Sequence, residues 1–354
     1  MNTKWTCRLL FILAGGMLGF AGCGGSSSGG ASTGMLNIGL TDGPVESAAA
    51  VYILFTGLEV KPAGGPSETY DISPDACDPV LSPADGCIIN LLDLQGLEYR
   101  TLFAEDMPAG EYQWVRLLVK AEQNVLDSYI VFSGETIESP PMECSLWIPS
   151  GSETGLKIVS GMTVTANGQS NYMLDFDVRK SVTAPPGIAD PDDPLEMCVQ
   201  NYLLKPAIRM VDETESGSIA GTVDATILTD IEACRDADQD GIVDSLGVYV
   251  VENFDGLAVL DDYDGDGDPI AFAVAESNDS GLTYNYEAGF LLAGDYKLGL
   301  TCTGDVDEDA TVADNFNCDF NDAACEETTP AFGFVAERDV SVIVDDVADG
   351  SFPE

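Results

Sequence analysis

The sequence predicts an all-β protein, built as two tandem Greek-key β-sandwich domains after a cleaved signal and a Gly/Ser tether. Three observations predict it. Short β-branched or aromatic runs recur along the chain, separated by clusters of Gly, Pro, Asn and Asp that punctuate strands with turns. Tyr172, Leu174, Phe176 and Val178 alternate with Met173, Asp175, Asp177 and Arg179, a period of two that turns one set inward and the other outward. Helical periodicity is nearly absent, and only Leu91–Leu97 and Thr229–Ala233 suggest a single turn each.

The expected strands of the first half are Leu36–Leu40, Val51–Val60, Cys87–Leu92, Tyr112–Lys120, Tyr129–Phe132, Leu156–Val159, Tyr172–Val178 and Tyr202–Met210. Those of the second half are Ser218–Val223, Gly247–Val251, Ala271–Ala275, Thr283–Tyr286, Tyr296–Leu300 and Val340–Val344. One local pattern recurs. Met107-Pro108-Ala109-Gly110-Glu111-Tyr112 and Leu292-Ala293-Gly294-Asp295-Tyr296 each place a small residue, glycine, an acid and tyrosine before a strand. The glycines are expected to supply the positive φ of a tight turn. The polar stretch Asp212–Gly217 marks the boundary between the halves.

The N-terminus carries Lys4 and Arg8 without an acid, then an apolar stretch from Leu9 to Phe20, then Ala21-Gly22-Cys23. The apolar run falls short of the ~20 residues of a membrane-spanning helix and suits a secretory signal. Small residues directly before Cys23 resemble the lipobox of bacterial lipoproteins, which makes Cys23 the lipidation (palmitate-bearing) residue. Phe20 stands where leucine is usual. Gly24–Gly30, rich in Gly and Ser, is a flexible tether. By the same resemblance, Gly24 after the acylated cysteine favours the outer membrane, on its periplasmic face or at the cell surface. The expected organisation is a signal over 1–22, the acylated cysteine and tether over 23–34, one sandwich over 35–214 and a more acidic one over 215–354.

Charge narrows the function. The chain holds 61 acids, 14 bases and no histidine, a formal net charge of −47. That field repels phosphate backbones, so nucleic acid is excluded as a partner. Without histidine there is no Ser-His-Asp or Cys-His machinery and no histidine-ligated zinc. Residues 216–354 contain 33 of the acids and only Arg235, Lys297 and Arg338 as bases.

Of ten cysteines, Cys7 leaves with the signal and Cys23 is assigned to lipid. The remaining eight divide evenly between the halves, an even count that reads as disulfides in an exported chain. A zinc site would compete, but no C-x-x-C occurs. Confining bonds to each half and favouring short loops gives Cys77–Cys87, Cys144–Cys198, Cys234–Cys302 and Cys318–Cys325.

The first half contains an ordered set of motifs. They are Leu40-Thr41-Asp42-Gly43-Pro44-Val45, Phe55-Thr56-Gly57-Leu58-Glu59-Val60-Lys61-Pro62, Ile148-Pro149-Ser150-Gly151 with Thr154-Gly155-Leu156-Lys157, Asp175-Phe176-Asp177-Val178-Arg179-Lys180-Ser181-Val182, and Leu204-Lys205-Pro206-Ala207-Ile208-Arg209. Over roughly residues 34–212 these resemble the bacterial lipoproteins that carry the domain of unknown function numbered 4382. The resemblance implies an exported, lipid-anchored β-domain and carries no activity. The second half resembles the carboxypeptidase-regulatory-like, prealbumin-like β-sandwiches, from which its acidic insertions and the Cys318–Cys325 loop depart.

Calcium is the candidate cofactor, the alternative being solvated acidic loops that hold no ordered ion. Asp236, Asp238, Asp240 and Asp244 take positions 1, 3, 5 and 9 of an EF-hand-like loop around Gly241, with Gly247 where the bidentate glutamate would stand. Asp262, Asp264, Asp266 and Asp268 repeat the alternation around Gly267. If Gly247–Val251 and Leu257–Leu260 form a hairpin around Asn253–Gly256, both loops lie at one end of it, where ions would cross-link them. Asp305, Asp307, Glu308 and Asp309 form a third acidic run without a glycine. Asp175, Asp177, Arg179 and Lys180 read as an exposed strand face with cross-strand ion pairs, and Trp114 and Trp147 as core or sandwich-edge aromatics. No catalytic residue stands out. The function that follows is a lipid-anchored envelope protein acting as a non-enzymatic binding, adhesion or structural module, with a glycan or another envelope protein as partner. The alternatives are a glycosidase-like hydrolase working through two carboxylates and a calcium-dependent partner of an envelope protein.

Overall fold

Alternation along the strands builds two layers in each half of the chain. The computed structural model describes residues 32–43, 48–132, 142–149, 155–183, 198–205, 207–229, 241–243, 246–253, 269–277, 279–302 and 334–353, with isolated positions between them. In chain order the first half forms β1 (Thr33–Gly43), β2 (Ala50–Pro62), β3 (Glu68–Tyr70), β4 (Cys87–Asn90), β5 (Arg100–Pro108), β6 (Gly110–Lys120) and β7 (Tyr129–Phe132). It continues with β8 (Met142–Trp147), β9 (Leu156–Ile158), β10 (Met162–Val164), β11 (Gln169–Asp177), the one-turn helix α1 (Val178–Ser181), β12 (Val182–Thr183), β13 (Tyr202–Leu204) and β14 (Ile208–Asp212). One sheet has the order β14-β11-β1-β5. The other runs β10-β6-β2-β7-β8-β13-β12, with β3 and β4 also on β2 and β9 on β6. Leu36, Ile38 and Leu40 of β1 and Leu174 and Phe176 of β11 meet Ile53, Phe55 and Leu58 of β2 in one buried core. Each such side chain contributes about 1.5–3 kcal/mol on full burial.

The second half forms β15 (Ser216–Asp224), β16 (Gly247–Glu252), β17 (Ala271–Val274), β18 (Glu276–Ser277), β19 (Thr283–Leu292), β20 (Gly294–Thr301), β21 (Phe334–Val342) and β22 (Val347–Asp349). Its sheets are β18-β19-β15-β22 and β17-β16-β20-β21. Ile219, Val223, Tyr284 and Tyr286 of the first face Val248, Val250, Leu298 and Leu300 of the second. The all-β class is thus observed, and among the described residues no helix is long and apolar enough to cross a membrane. Residues Ser32–Glu354 form one compact unit.

The two sandwiches share a five-strand plan. β1 pairs antiparallel with β5 and parallel with β11, and β2 pairs antiparallel with β6. β15 likewise pairs antiparallel with β19 and parallel with β22, and β16 pairs antiparallel with β20. The recurring sequence pattern sits at the same place in both. There the chain leaves one sheet and enters the other across a single residue, Ala109 between β5 and β6 or Ala293 between β19 and β20. The tyrosine hydroxyl then donates to the carbonyl four residues back, Tyr112 to Pro108 at 2.8 Å and Tyr296 to Leu292 at 2.6 Å. The alanine N–H donates to the residue before the first strand, Ala109 to Ser32 (2.8 Å) and Ala293 to Glu215 (3.2 Å). These are tyrosine corners, in which a buried ring with a polar tip fixes a strand crossover.

Several expectations need correction. Gly110 has φ of 145°, but Gly294 is not in the positive-φ region, so only the first corner uses glycine's conformational freedom. The stretch Tyr202–Met210 is two strands in different sheets, because the chain changes sheet between Leu204 and Ile208. β11 ends at Asp177, whose carboxylate accepts the Lys180 N–H and caps α1. Leu91–Asp93 forms a turn where one was expected, another turn forms at Ala225–Leu228, and Asp230, Glu232 and Ala233 of the turn expected at Thr229–Ala233 lie outside the described residues.

Of the hairpin expected to carry the aspartate loops, Leu257, Val259 and Leu260 lie outside the described residues, while β16 pairs with Ala271–Val274 on one edge and with β20 on the other. The Asp236–Asp244 segment therefore joins β16 at its start, Gly247, and the Asp262–Asp268 segment joins it beyond its end, Glu252. Their attachment points lie at opposite ends of a six-residue strand, about 20 Å apart at ~3.4 Å per residue. Asp236, Asp238, Asp240, Asp244, Asp262, Asp264, Asp266 and Asp268 themselves lie outside the described residues, as do Cys23, Cys318, Cys325 and the Asp305–Asp309 run.

Candidate functional site

The outward-facing residues of β1 and β11 form the first side of the site. With Leu36, Ile38 and Leu40 turned inward, β1 presents Met35, Asn37, Gly39 and Thr41 outward. β11 presents Gln169, Asn171, Met173, Asp175 and Asp177. At one end of this face the second sandwich covers it, so Met173 and Val211 are 4% and 1% exposed although they point away from their own core. Contact there is close. A Cβ on Gly289 would lie 2.5 Å from the Gly96 carbonyl, so only glycine permits the approach of β19 to the 91–98 segment.

α1 supplies the charged part of the junction. Arg179, 3% exposed, lies with its guanidinium carbon 3.8 Å from the centre of the Phe272 ring and 5.9 Å from that of Tyr249. Its Nη1 donates to the Tyr249 hydroxyl at 3.3 Å. Tyr249 packs against both Phe272 and Phe334, with ring centres 4.9 and 5.5 Å away. A desolvated guanidinium over aromatic faces is a favourable cation–π contact. Lys180 Nζ donates to the Pro269 carbonyl at 2.7 Å and lies 3.5 Å from Asp177. Arg209 donates through Nε and Nη2 to Asp175, its register partner across β11 and β14. Burial pushes the Asp177 carboxyl above its usual range, against the pull of Lys180 and Arg179. Burial disfavours the Arg209 charge, but Asp175 overcomes this and holds the guanidinium above its ordinary value.

Asp175, Asp177, Arg179 and Lys180 are therefore not the exposed strand face that the alternation suggests. The expected cross-strand ion pair exists, but a second layer covers this end of the strip. A clue lay in Gly247–Val251, whose five residues are all buried. A strand apolar on both faces needs a layer on each side.

Two cavities flank the junction. One, about 720 Å³, lies between the 92–98 segment and the edge of the second sandwich, with Asp93, Glu98, Glu276 and Glu287 in its walls. Burial raises the Glu287 carboxyl above its usual range. The other, about 360 Å³, is a trough on the outer face of the first sandwich, floored by Asn37, Gly39, Gln169 and Asn171 and walled by Tyr99 and Glu213. Sequence reasoning passed over these amides. The signal was there, since Gln169 and Asn171 are outward positions of β11 that carry no charge in a very acidic chain.

Among the described residues three disulfides brace the scaffold: Cys77–Cys87, Cys144–Cys198 and Cys234–Cys302. The stems of both aspartate segments are fixed. Cys234 is tied to Cys302, and the Val243 N–H donates to the Tyr284 hydroxyl at 2.8 Å. Asn253 accepts from the Ala258 N–H and donates to Asp339, each at 3.0 Å. Trp114 is a half-buried, outward-facing ring with Arg116 and Lys157 each 4.8 Å from its centre. Among the described residues no group of three or more acids or cysteines is placed to hold a metal ion.

The described residues of the motifs from Leu40 to Arg209 thus fall on one sandwich and its junction helix. Residues 33–206 match the model of DUF4382, a domain of unknown function. The matched segment therefore spans β1 to β13 and includes α1, whereas β14, the edge strand of the first sheet, lies beyond the match. No curated protein matches the chain. Among solved structures, a leucine-rich repeat protein from Bacteroides thetaiotaomicron is similar over 91% of this chain and 26% of its own, at 10% identity and a TM-score of 0.22. The chain thus spans about a quarter of that protein's length. A Bacteroides ovatus protein described as a "putative adhesin" is similar over 76% of this chain and 77% of its own, at 10% identity and a TM-score of 0.17. A "putative cell adhesion protein" from Parabacteroides distasonis covers 75% and 79%, at 12% identity and a TM-score of 0.18.

Proposed function

We propose that the protein is an exported, non-enzymatic module of the bacterial cell envelope that binds, adheres or braces, and that lipid on Cys23 holds it at the outer membrane. The observation that carries this reading is a pair of disulfide-braced sandwiches joined through a buried junction. Disulfides persist in oxidising compartments outside the cytoplasm. The lipobox-like Ala21-Gly22-Cys23 and the Gly/Ser tether support the anchor. Metabolic labelling with an alkyne analogue of palmitate tests it. The wild-type chain is expected to take up label and Cys23→Ala to lose it. Label retained by that variant, or absent from the wild type, refutes the anchor.

Calcium on the two aspartate segments is part of the same proposal. Because their attachment points lie at opposite ends of β16, each segment would bind by itself rather than share an ion. With a Kd of ~10⁻⁴ M, millimolar calcium would stabilise the fold by about 1.4 kcal/mol, a rise of roughly 3–6 °C in melting temperature. Melting with calcium and with chelator measures this, and a shift below one degree rejects a structural ion.

A further inference from the structure

We infer that the trough on the outer face of the first sandwich is a binding site for a neutral, hydroxyl-rich glycan. The inference rests on the binding-module reading above and names its ligand class. Asn37 and Asn171 stand directly opposite on β1 and β11, with Met35 and Gln169 as the adjacent pair. The Asn37 Nδ2 donates to Asn171 Oδ1 at 2.8 Å, and Gln169 Nε2 donates to the same oxygen at 2.9 Å. This locks three planar amides into one array. The Asn171 oxygen accepts both bonds, which leaves the Asn171 Nδ2 donors and the Asn37 and Gln169 amide oxygens for a ligand. The floor therefore offers donors and acceptors together. A hydroxyl both donates and accepts, so adjacent sugar hydroxyls satisfy such an array, whereas a carboxylate or an ammonium satisfies only half of it.

The walls fit the same ligand. Tyr99 is 47% exposed, yet its ring is held edge-on against Phe290, with ring centres 6.3 Å apart. A Cβ on Gly39 would lie 2.7 Å from Met173 Sδ and 3.2 Å from Tyr99 Cδ2, so the bare glycine lets both side chains lie down on the sheet. The result is an apolar flank beside a polar floor, matching the C–H face and the hydroxyl rim of a sugar ring. A cavity of about 360 Å³ is at the small end of the ~300–1,000 Å³ that hold small ligands, which suits a short stretch of glycan rather than a folded partner. Charge sets the remaining term. In a chain of net charge −47, with Glu213 on the rim, an anionic sugar is repelled and a neutral one is not.

The test uses the full chain purified in detergent, on an array of neutral gluco-, manno-, galacto- and N-acetylglucosamine oligosaccharides, followed by calorimetric titration with the strongest binder. Wild type is expected to bind at least one neutral class and to bind uronic-acid oligosaccharides at least tenfold more weakly. Asn171→Ala and Gln169→Ala are expected to weaken binding at least tenfold at unchanged melting temperature. Tyr99→Phe retains binding because it keeps the ring. Absence of binding to every neutral class at millimolar concentration overturns the inference, as does equal affinity in both amide variants or equal binding of uronic-acid sugars. These readouts do not depend on the Cys23 label, so failure of the site and failure of the anchor are scored separately.

Discussion

Replacing Arg179 with alanine is expected to lower the stability of the two-sandwich unit by about 3 kcal/mol or more, a fall of roughly 6–12 °C in melting temperature. Arg179 is almost fully buried, and its partners belong to the other sandwich: the Tyr249 hydroxyl and the Phe272 ring. Truncation removes the cation–π contact and leaves Asp177 in a poorly hydrated junction with Lys180 as its nearer cation. Removing one member of a largely buried charged group costs more than the group contributes intact, because the carboxylate left behind regains only part of its hydration. Arg179→Lys is expected to recover little, since an ammonium cannot lie flat on Phe272 while donating sideways to Tyr249. Calorimetry provides the decisive reading. Loss of the junction should split unfolding into two transitions, one for each core. A variant that melts within a degree of wild type, in a single transition, would show that the sandwiches are coupled elsewhere.

Removing the Cys234–Cys302 bond is the second large effect. The bond closes 68 residues, and loop-closure entropy puts its stabilising effect at about 4 kcal/mol. Cys77–Cys87 closes only ten residues, for nearer 3 kcal/mol. The double variant Cys234→Ala, Cys302→Ala should therefore lose more stability in denaturant than Cys77→Ala, Cys87→Ala. Position adds to the difference. Cys302 directly follows β20 and is 3% exposed in the second core, so its partner Cys234 is the pin that holds the segment before β16 against that core. The opposite order of stabilities would refute the loop-length argument.

The fold was legible where one residue type repeats on one face. Tyr172, Leu174 and Phe176 announced β11, and three cysteine pairs chosen for short loops coincide with the bonds formed. β5 was not legible, because Glu105, Asp106 and Pro108 interrupt its apolar pattern and its place is set by register with distant β1. β8 was hidden in the same way by Glu143 and Ser145. The corners were visible as a pattern of sequence but not as sheet crossovers, since a tyrosine at a strand start looks the same in either sheet. The junction was the least legible part. Nothing local to Arg179 says that Tyr249 and Phe272, far along the chain, will enclose it, and an outward charge on a strand ordinarily means solvent.

The place of β1 has a mechanical consequence. β1 lies inside its sheet, between β11 and β5, and is registered with β11 over nine consecutive residues from Met35 to Gly43. A pull at Thr33 along the strand would load both ladders at once, in shear, instead of opening them one bond at a time as peeling an edge strand would. An anchor just upstream would thus deliver force to the point where the first sandwich resists it best. Under tension the covering elements and the second sandwich would be expected to yield first.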